Sequence, residues 1–247
     1  MRIFPGLGLS LFVAISPAAY ADDAPETFEG EVSLNGSKST GNADTTDVGA
    51  AVKLKWRAMD WRHRFSASGD YAEQNGEDTR SRYRLAYQID RDFSERIYAY
   101  ASTDYFSDDF GPYKFGFFAG GGMGYRAALP PPLQWDVQAG PGYRRQKTRE
   151  PIDVPPGDPS RIESEIALRA ASELSWDIND NVDAYNNTEV VSSSSNTFLT
   201  NEVGVTADLF GGLALRTSFR VEHNTDVAVD REKTDTITRL GVVYAIK

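Results

Sequence analysis

From Phe28 to Ile246 the apolar residues of this chain fall on alternate positions, and that pattern admits few folds. Phe28, Gly30, Val32 and Leu34 alternate with Glu29, Glu31 and Ser33. Val48, Ala50, Val52, Leu54 and Trp56 alternate with Gly49, Lys53, Lys55 and Arg57. Trp61, Phe65, Ala67 and Tyr71 alternate with Arg62, Arg64, Ser66 and Asp70, and the pattern is still present at Leu240, Val242, Tyr244 and Ile246. A period of two is the period of a strand, whose successive side chains point to opposite faces. One segment, Arg161 to Trp176, also reads as a helix, because Ser160 and Glu163 are spaced as a capping box and Ile162, Ile166, Ala170 and Leu174 recur every fourth residue. A helix would leave Leu168 and Trp176 off its apolar stripe. A strand puts them on one face with Ile162, Ile166 and Leu174, opposite Glu163, Glu165, Arg169 and Glu173. The segment is therefore one more member of the series.

Gly, Asn, Asp and Pro turn signals divide the series into about twelve strands, each near or above the roughly 9 to 11 residues that cross a membrane at a tilt. An even number suits a closed antiparallel up-and-down barrel of the outer-membrane type. Alternate connections are short (Ala58 to Asp60, Asn179 to Asn181, Phe210 to Gly212), while others are long (Glu150 to Arg161, Thr225 to Lys233), with the Pro-rich Ala127 to Leu133 an exception among the short set. Trp56, Trp61, Trp135 and Trp176 all lie close to short turns, and Tyr98, Tyr125 and Tyr244 fall at the same level. Together they read as an aromatic girdle at one membrane interface.

Met1 to Ala21 has the form of a secretory signal peptide. Arg2 precedes an apolar core from Leu7 to Ile15, and Ala19-Tyr20-Ala21 offers a small-residue cleavage site. The expected organisation is a signal peptide at 1–21 and one barrel domain at 22–247. With 26 Lys+Arg against 36 Asp+Glu, a net charge of -10, the chain lacks the basic surface that nucleic acid requires. With no Cys it has neither a disulfide framework nor thiolate chemistry.

In a membrane barrel the apolar face meets lipid and the charged face lines the lumen. The first three strands then set Glu29 and Glu31 beside Lys53, Lys55 and Arg57, which face Arg62 and Arg64. This cluster is either an anion-selective constriction or a ladder of opposite charges that braces a narrow barrel. Catalytic chemistry is poorly provided for. His63 and His223 lie at opposite ends of their strands, and His223 beside Asn224, with Ser192 to Ser195 on another outer edge, is the least unsuitable candidate for a lipid-active site. Asp44, Asp47, Asp108, Asp109, Asp226, Asp230 and Glu232 at outer turns invite divalent cations that bridge to lipopolysaccharide phosphates, but Asp is also favoured in turns for backbone reasons. The glycines of GGGMGY (Gly120 to Tyr125) lack the Lys and helix of a phosphate loop, and within a strand they suit tight curvature or close side-chain approach.

The stretches GEVSLNGSKSTGNADTTDVGAAVKLKW (Gly30 to Trp56), WRHRFSASGDYAEQNGEDTRSRYRLAYQIDRDFSERIYAY (Trp61 to Tyr100), AGPGYRRQK (Ala139 to Lys147) and VEHNTDVAVDREKTDTITRLGVVYAI (Val221 to Ile246) resemble the salt-induced outer membrane proteins of the YdiY-like type, a domain-of-unknown-function family. The chain departs from that family in its Pro-rich Asp153 to Pro159 and in ending on Lys247 where a terminal aromatic is usual. The resemblance implies an outer-membrane barrel in a Gram-negative cell and supplies no catalytic residues. The expectation is a monomeric, non-enzymatic barrel in the cell outer membrane, without cofactor or metal. Its partners would be outer-membrane lipids, lipopolysaccharide and, during biogenesis, the barrel-assembly machinery. Its role would be structural under salt or osmotic stress, a connection drawn from the resemblance alone. The alternatives are a narrow pore for small polar or anionic solutes and, more remotely, a lipid-active enzyme.

Overall fold

A computed structural model describes residues 26–40, 45–74, 77–111, 113–148, 162–225 and 232–246, with backbone only at 37–40 and 45–47. The signal-peptide segment, the Glu150 to Arg161 loop, Asp44, Asp226 and Asp230 lie outside these residues, as does the side chain of Asp47.

Twelve strands run in chain order: β1 (Thr27–Thr40), β2 (Thr45–Ala58), β3 (Trp61–Gln74), β4 (Glu77–Asp92), β5 (Ile97–Asp108), β6 (Tyr113–Ala127), β7 (Leu133–Thr148), β8 (Ile162–Asn179), β9 (Val182–Ser193), β10 (Thr197–Phe210), β11 (Leu213–Asn224) and β12 (Thr234–Ile246). Each pairs antiparallel with its sequence neighbours, and β1 pairs with β12, so the sheet closes into a barrel. Closure leaves no unpaired edge, the requirement that lipid imposes on any spanning sheet. The segment with two possible readings is β8, a strand of 18 residues.

Three of the five connections at the end that holds Thr27 and Ile246 are two-residue turns, and the others, 93–96 and the Pro-rich 128–132, are longer. Met59–Asp60 carries a positive φ at Met59 (52°), and Gly211–Gly212 has both φ values positive (60° and 83°), the conformation a two-residue hairpin needs to match strand twist. Between β4 and β5 the Ser94 hydroxyl accepts the Ile97 N–H at 3.0 Å.

Parity decides which side chains face in. The registers place Glu29 opposite Lys55, Glu31 opposite Lys53, Lys55 opposite Arg64 and Arg57 opposite Arg62, all on one wall. The other wall is apolar and turned outward. Leu34, Val48, Leu85, Ile166, Leu168 and Leu240 are all exposed there, Ile166 to 80%. A soluble barrel would hide these residues; in a bilayer such a wall is the lipid-facing surface. Among the described residues no helix is long and apolar enough to cross a membrane.

Candidate functional site

The inward wall is so charged that the lumen itself is the place to look for function. Near the end with the tight turns, Asp90 is completely buried, with Arg62 at 3.3 Å, Arg64 at 3.0 Å and the Gln88 amide donating at 2.6 Å. Asp92 takes Arg57 at 3.3 Å, Arg62 at 3.3 Å and Arg126 at 2.6 Å. At mid-depth Arg84 lies 2.6 Å from Asp104 and 3.6 Å from Glu189, and Glu189 is also held by Arg169. Beside them Glu31 accepts both terminal nitrogens of Arg216, at 2.5 and 2.8 Å, with Lys53 at 3.7 Å.

Further toward the other end, six groups form a closed ring of alternating sign. Asp70 bridges Arg239 and Arg82 (3.7 and 3.8 Å), Glu222 bridges Arg82 and Arg220 (3.5 and 2.8 Å), and Glu202 bridges Arg220 and Arg239 (3.8 and 3.7 Å). Each guanidinium has a carboxylate on both sides, so no charge in the ring is buried alone.

Three of these pairs span the lumen. Arg64 on β3 reaches Glu173 on β8 at 3.3 Å; Arg84 on β4 reaches Glu189 on β9; Arg82 on β4 reaches Glu222 on β11. In a ring of twelve strands each pair is five strands apart, one short of diametrically opposite. The outer mouth is crossed as well. Asn196, in the turn after β9, is buried and donates to the Tyr113 hydroxyl of β6 at 3.0 Å, while its amide oxygen accepts from Thr225 at 3.1 Å.

Of the residues read from sequence as a charge cluster, Glu31, Arg62 and Arg64 are bound into these networks, Lys53 touches Glu31, and Arg57 touches Asp92. Glu29 is exposed at the start of β1, and Lys55 is exposed opposite Arg64. The cations therefore stand among carboxylates supplied by β4, β7 and β8, which the reading of β1 to β3 alone did not include.

Of the residues assigned to the girdle, Trp61, Tyr125, Trp135, Trp176 and Tyr244 are exposed on the outward wall. Trp56 is half-buried and stacks on His63 with ring centroids 4.9 Å apart. Tyr98 requires a correction. It has no exposure at all, points into the lumen, donates to Asp136 and lies between the guanidiniums of Arg62 (5.1 Å) and Arg126 (4.6 Å). The reason lies on the neighbouring strand. Tyr98 pairs with Gly124, where any Cβ would collide with the tyrosine ring, so the missing side chain makes the room that the ring fills.

The histidines do not come together. His63 bonds Tyr87 at 2.7 Å near the tight-turn end, and His223 bonds Thr234 at 2.9 Å near the other. Among the described residues no group of three or more His, Cys, Asp or Glu has the arrangement of a metal site. Asp108 caps its own turn, accepting the N–H groups of Phe110 at 2.9 Å and Gly111 at 2.8 Å, the backbone role that Asp fills in turns generally.

Residues 32–246 match the model of the family described as "Protein of unknown function, DUF481". The chain belongs to this family. It is the YdiY-like group that the sequence motifs resemble. Among solved structures, this DUF481 barrel is similar to the translocator domain of the autotransporter NalP from Neisseria meningitidis (TM-score 0.51, 11% identity, covering 88% of each chain). It is also similar to the KdgM porin (TM-score 0.50, 9% identity, covering 88% of this chain and 99% of that one). At such identities the likeness is one of fold, that of outer-membrane barrels. No curated protein matches the chain.

Proposed function

We infer that this chain is exported to the outer membrane and serves there as a closed, non-enzymatic barrel, a structural element of the envelope. The observation that carries this reading is the set of three ion pairs that span the lumen, Arg64 to Glu173, Arg84 to Glu189 and Arg82 to Glu222. A guanidinium that meets a carboxylate from the far wall occupies the path a solute would take, and its partner satisfies charge that would otherwise hold water or passing ions. The Asn196 turn tied to Tyr113 at the outer mouth supports the same reading.

A second reading, a narrow pore for small ions, draws on the side chains of Lys53, Arg57 and Glu173, which are half exposed within the lower lumen. Conductance of the refolded barrel in a planar bilayer under a potassium chloride gradient separates the two. The closed barrel gives no steps, and loosening the lattice with Glu189→Gln and Glu222→Gln induces them. Steady steps from the unaltered protein, with anion preference lost in a Lys53→Gln/Lys55→Gln/Arg57→Gln variant, would replace the closed barrel with the pore.

A further inference from the structure

Nearly all the arginines described above face the lumen and stand beside carboxylates, but three cations at the outer end of β6 and β7 stand beside none. Arg145 and Lys147 share the outward parity of Tyr143 on β7, while their neighbours Arg144 and Gln146 are buried inside. Lys114 is exposed at the bulge where β6 shifts register against β7, next to Phe115, which pairs with Lys147. Among the described residues none of the three has an ion-pair partner. At the opposite end of the outward wall Arg91 is placed differently, over the ring of Trp61 at 5.4 Å.

The level of the three is set by the girdle. Arg145 lies ten residues beyond Trp135 on the same strand and the same face. At about 3.3 Å per residue and a tilt of about 40°, that is a rise of about 25 Å, the height of the apolar band of an outer-membrane barrel. With Trp135 at the inner interface, Arg145 stands at the headgroup level of the outer leaflet. The surface beside and beneath it is apolar: Phe117 is paired with Arg145, Tyr143 and Ile166 are paired with each other two residues further in, and all three are exposed. A cationic rim above a hydrocarbon-facing wall matches an amphiphile with anionic groups at its head and acyl chains below.

We propose that Lys114, Arg145 and Lys147 form a binding site for the phosphate groups of a phosphorylated glycolipid of the outer leaflet, of the lipid A type, whose chains lie along Phe117, Tyr143 and Ile166. The site rests on the outer-membrane location proposed above but not on whether the lumen conducts. It differs from a cation-bridged acidic site in contacting the phosphate directly.

The test is native mass spectrometry of the refolded barrel in detergent, titrated with bisphosphorylated lipid A, dephosphorylated lipid A or inorganic phosphate. It compares the unaltered chain with a Lys114→Gln/Arg145→Gln/Lys147→Gln variant shown to be folded by heat-dependent gel mobility. A cation near an anionic headgroup contributes about fivefold in affinity, so the triple variant is expected to bind lipid A on the order of a hundredfold more weakly. Arg145→Lys alone should retain most of the binding. Equal affinity in the triple variant, or equal affinity for dephosphorylated lipid, would overturn the proposal in favour of a purely apolar contact. Displacement by inorganic phosphate at matching concentration would overturn the lipid as the source of the anion. A conducting barrel that retained these affinities would remove the closed-lumen reading and leave this site standing.

Discussion

Between β5 and β7 much of the inner wall is glycine covered by rings, with charged groups such as Asp104, Arg126 and Arg144 set among them, whereas from β10 to β12, and across to β3 and β4, guanidinium and carboxylate groups alternate. On the first side Tyr98 covers Gly124, Phe118 lies over Gly120 and Gly142, and Phe106 lies over Gly116. On the second side the ring of Asp70, Arg82, Glu222, Arg220, Glu202 and Arg239 fills the same kind of space. Tyr185, over Gly204 and donating to Glu202 at 2.9 Å, joins the two styles. The first wall fills the lumen by shape, which is short-ranged and unforgiving. The second fills it by charge, and most of its ion pairs stand at 3.5 to 3.8 Å, so it tolerates small displacements but not the loss of a sign.

The largest effect is expected from a single methyl group on the glycine wall. A Cβ at Gly122 would fall against the Ala139 carbonyl and 2.7 Å from the Gly140 Cα, and backbone on a paired strand cannot step aside. Gly122→Ala is expected to abolish refolding, read as loss of the heat-dependent gel shift; a normally folded variant would show that β6 and β7 can separate there. Next in size is Glu222→Gln, which keeps volume but leaves Arg82 and Arg220 facing each other. Removing one member of a buried ion-pair network costs about 3–5 kcal/mol, to be measured by urea unfolding of the barrel in lipid vesicles. A loss as small as that of a surface pair would mean that water already screens the ring. The smallest effect belongs to Lys53→Gln. Lys53 is half exposed and Glu31 keeps both bonds from Arg216, so the same assay should register a change under ~1 kcal/mol.

The two walls were not equally legible in the sequence. Strand identity, strand number and the inward parity of residues such as Glu31, Arg64 and Arg169 followed from alternation, because a period of two carries its own assignment of faces. The inward place of Tyr98 did not follow, since apolar residues occupy both parities of Ile97-Tyr98-Ala99-Tyr100 and its level near a short turn assigned it to the girdle. The signal that decides it is on another strand. Gly120, Gly122 and Gly124 repeat with the strand period on the inward parity of β6, and a row of missing side chains on an inner wall must be covered by large ones from beside it. Ion-pair partners across the lumen were illegible for a related reason. Register relates neighbouring strands, and nothing in a linear pattern says that β4 will meet β9 or β11. The basic rim at Arg145 and Lys147 was hidden in "YRRQK", where two inward and two outward polar residues read alike until the strand has been given a depth.

Eleven of the twelve strand junctions join segments consecutive in sequence, and one, β1 with β12, joins Gly30 to Ile246 and Thr40 to Thr236. Hairpins between sequence neighbours close short loops and form early, while the last junction waits for the whole chain. The six-membered ring straddles that junction, since Arg239 sits on β12 and its partner Asp70 on β3. Before the seam zips, Asp70, Arg82, Glu222 and Arg239 each lack one of their two partners in the ring, and zipping supplies all four together. Sealing the barrel and neutralising its interior thus become one cooperative event, which favours the sealed state over any open sheet that precedes it.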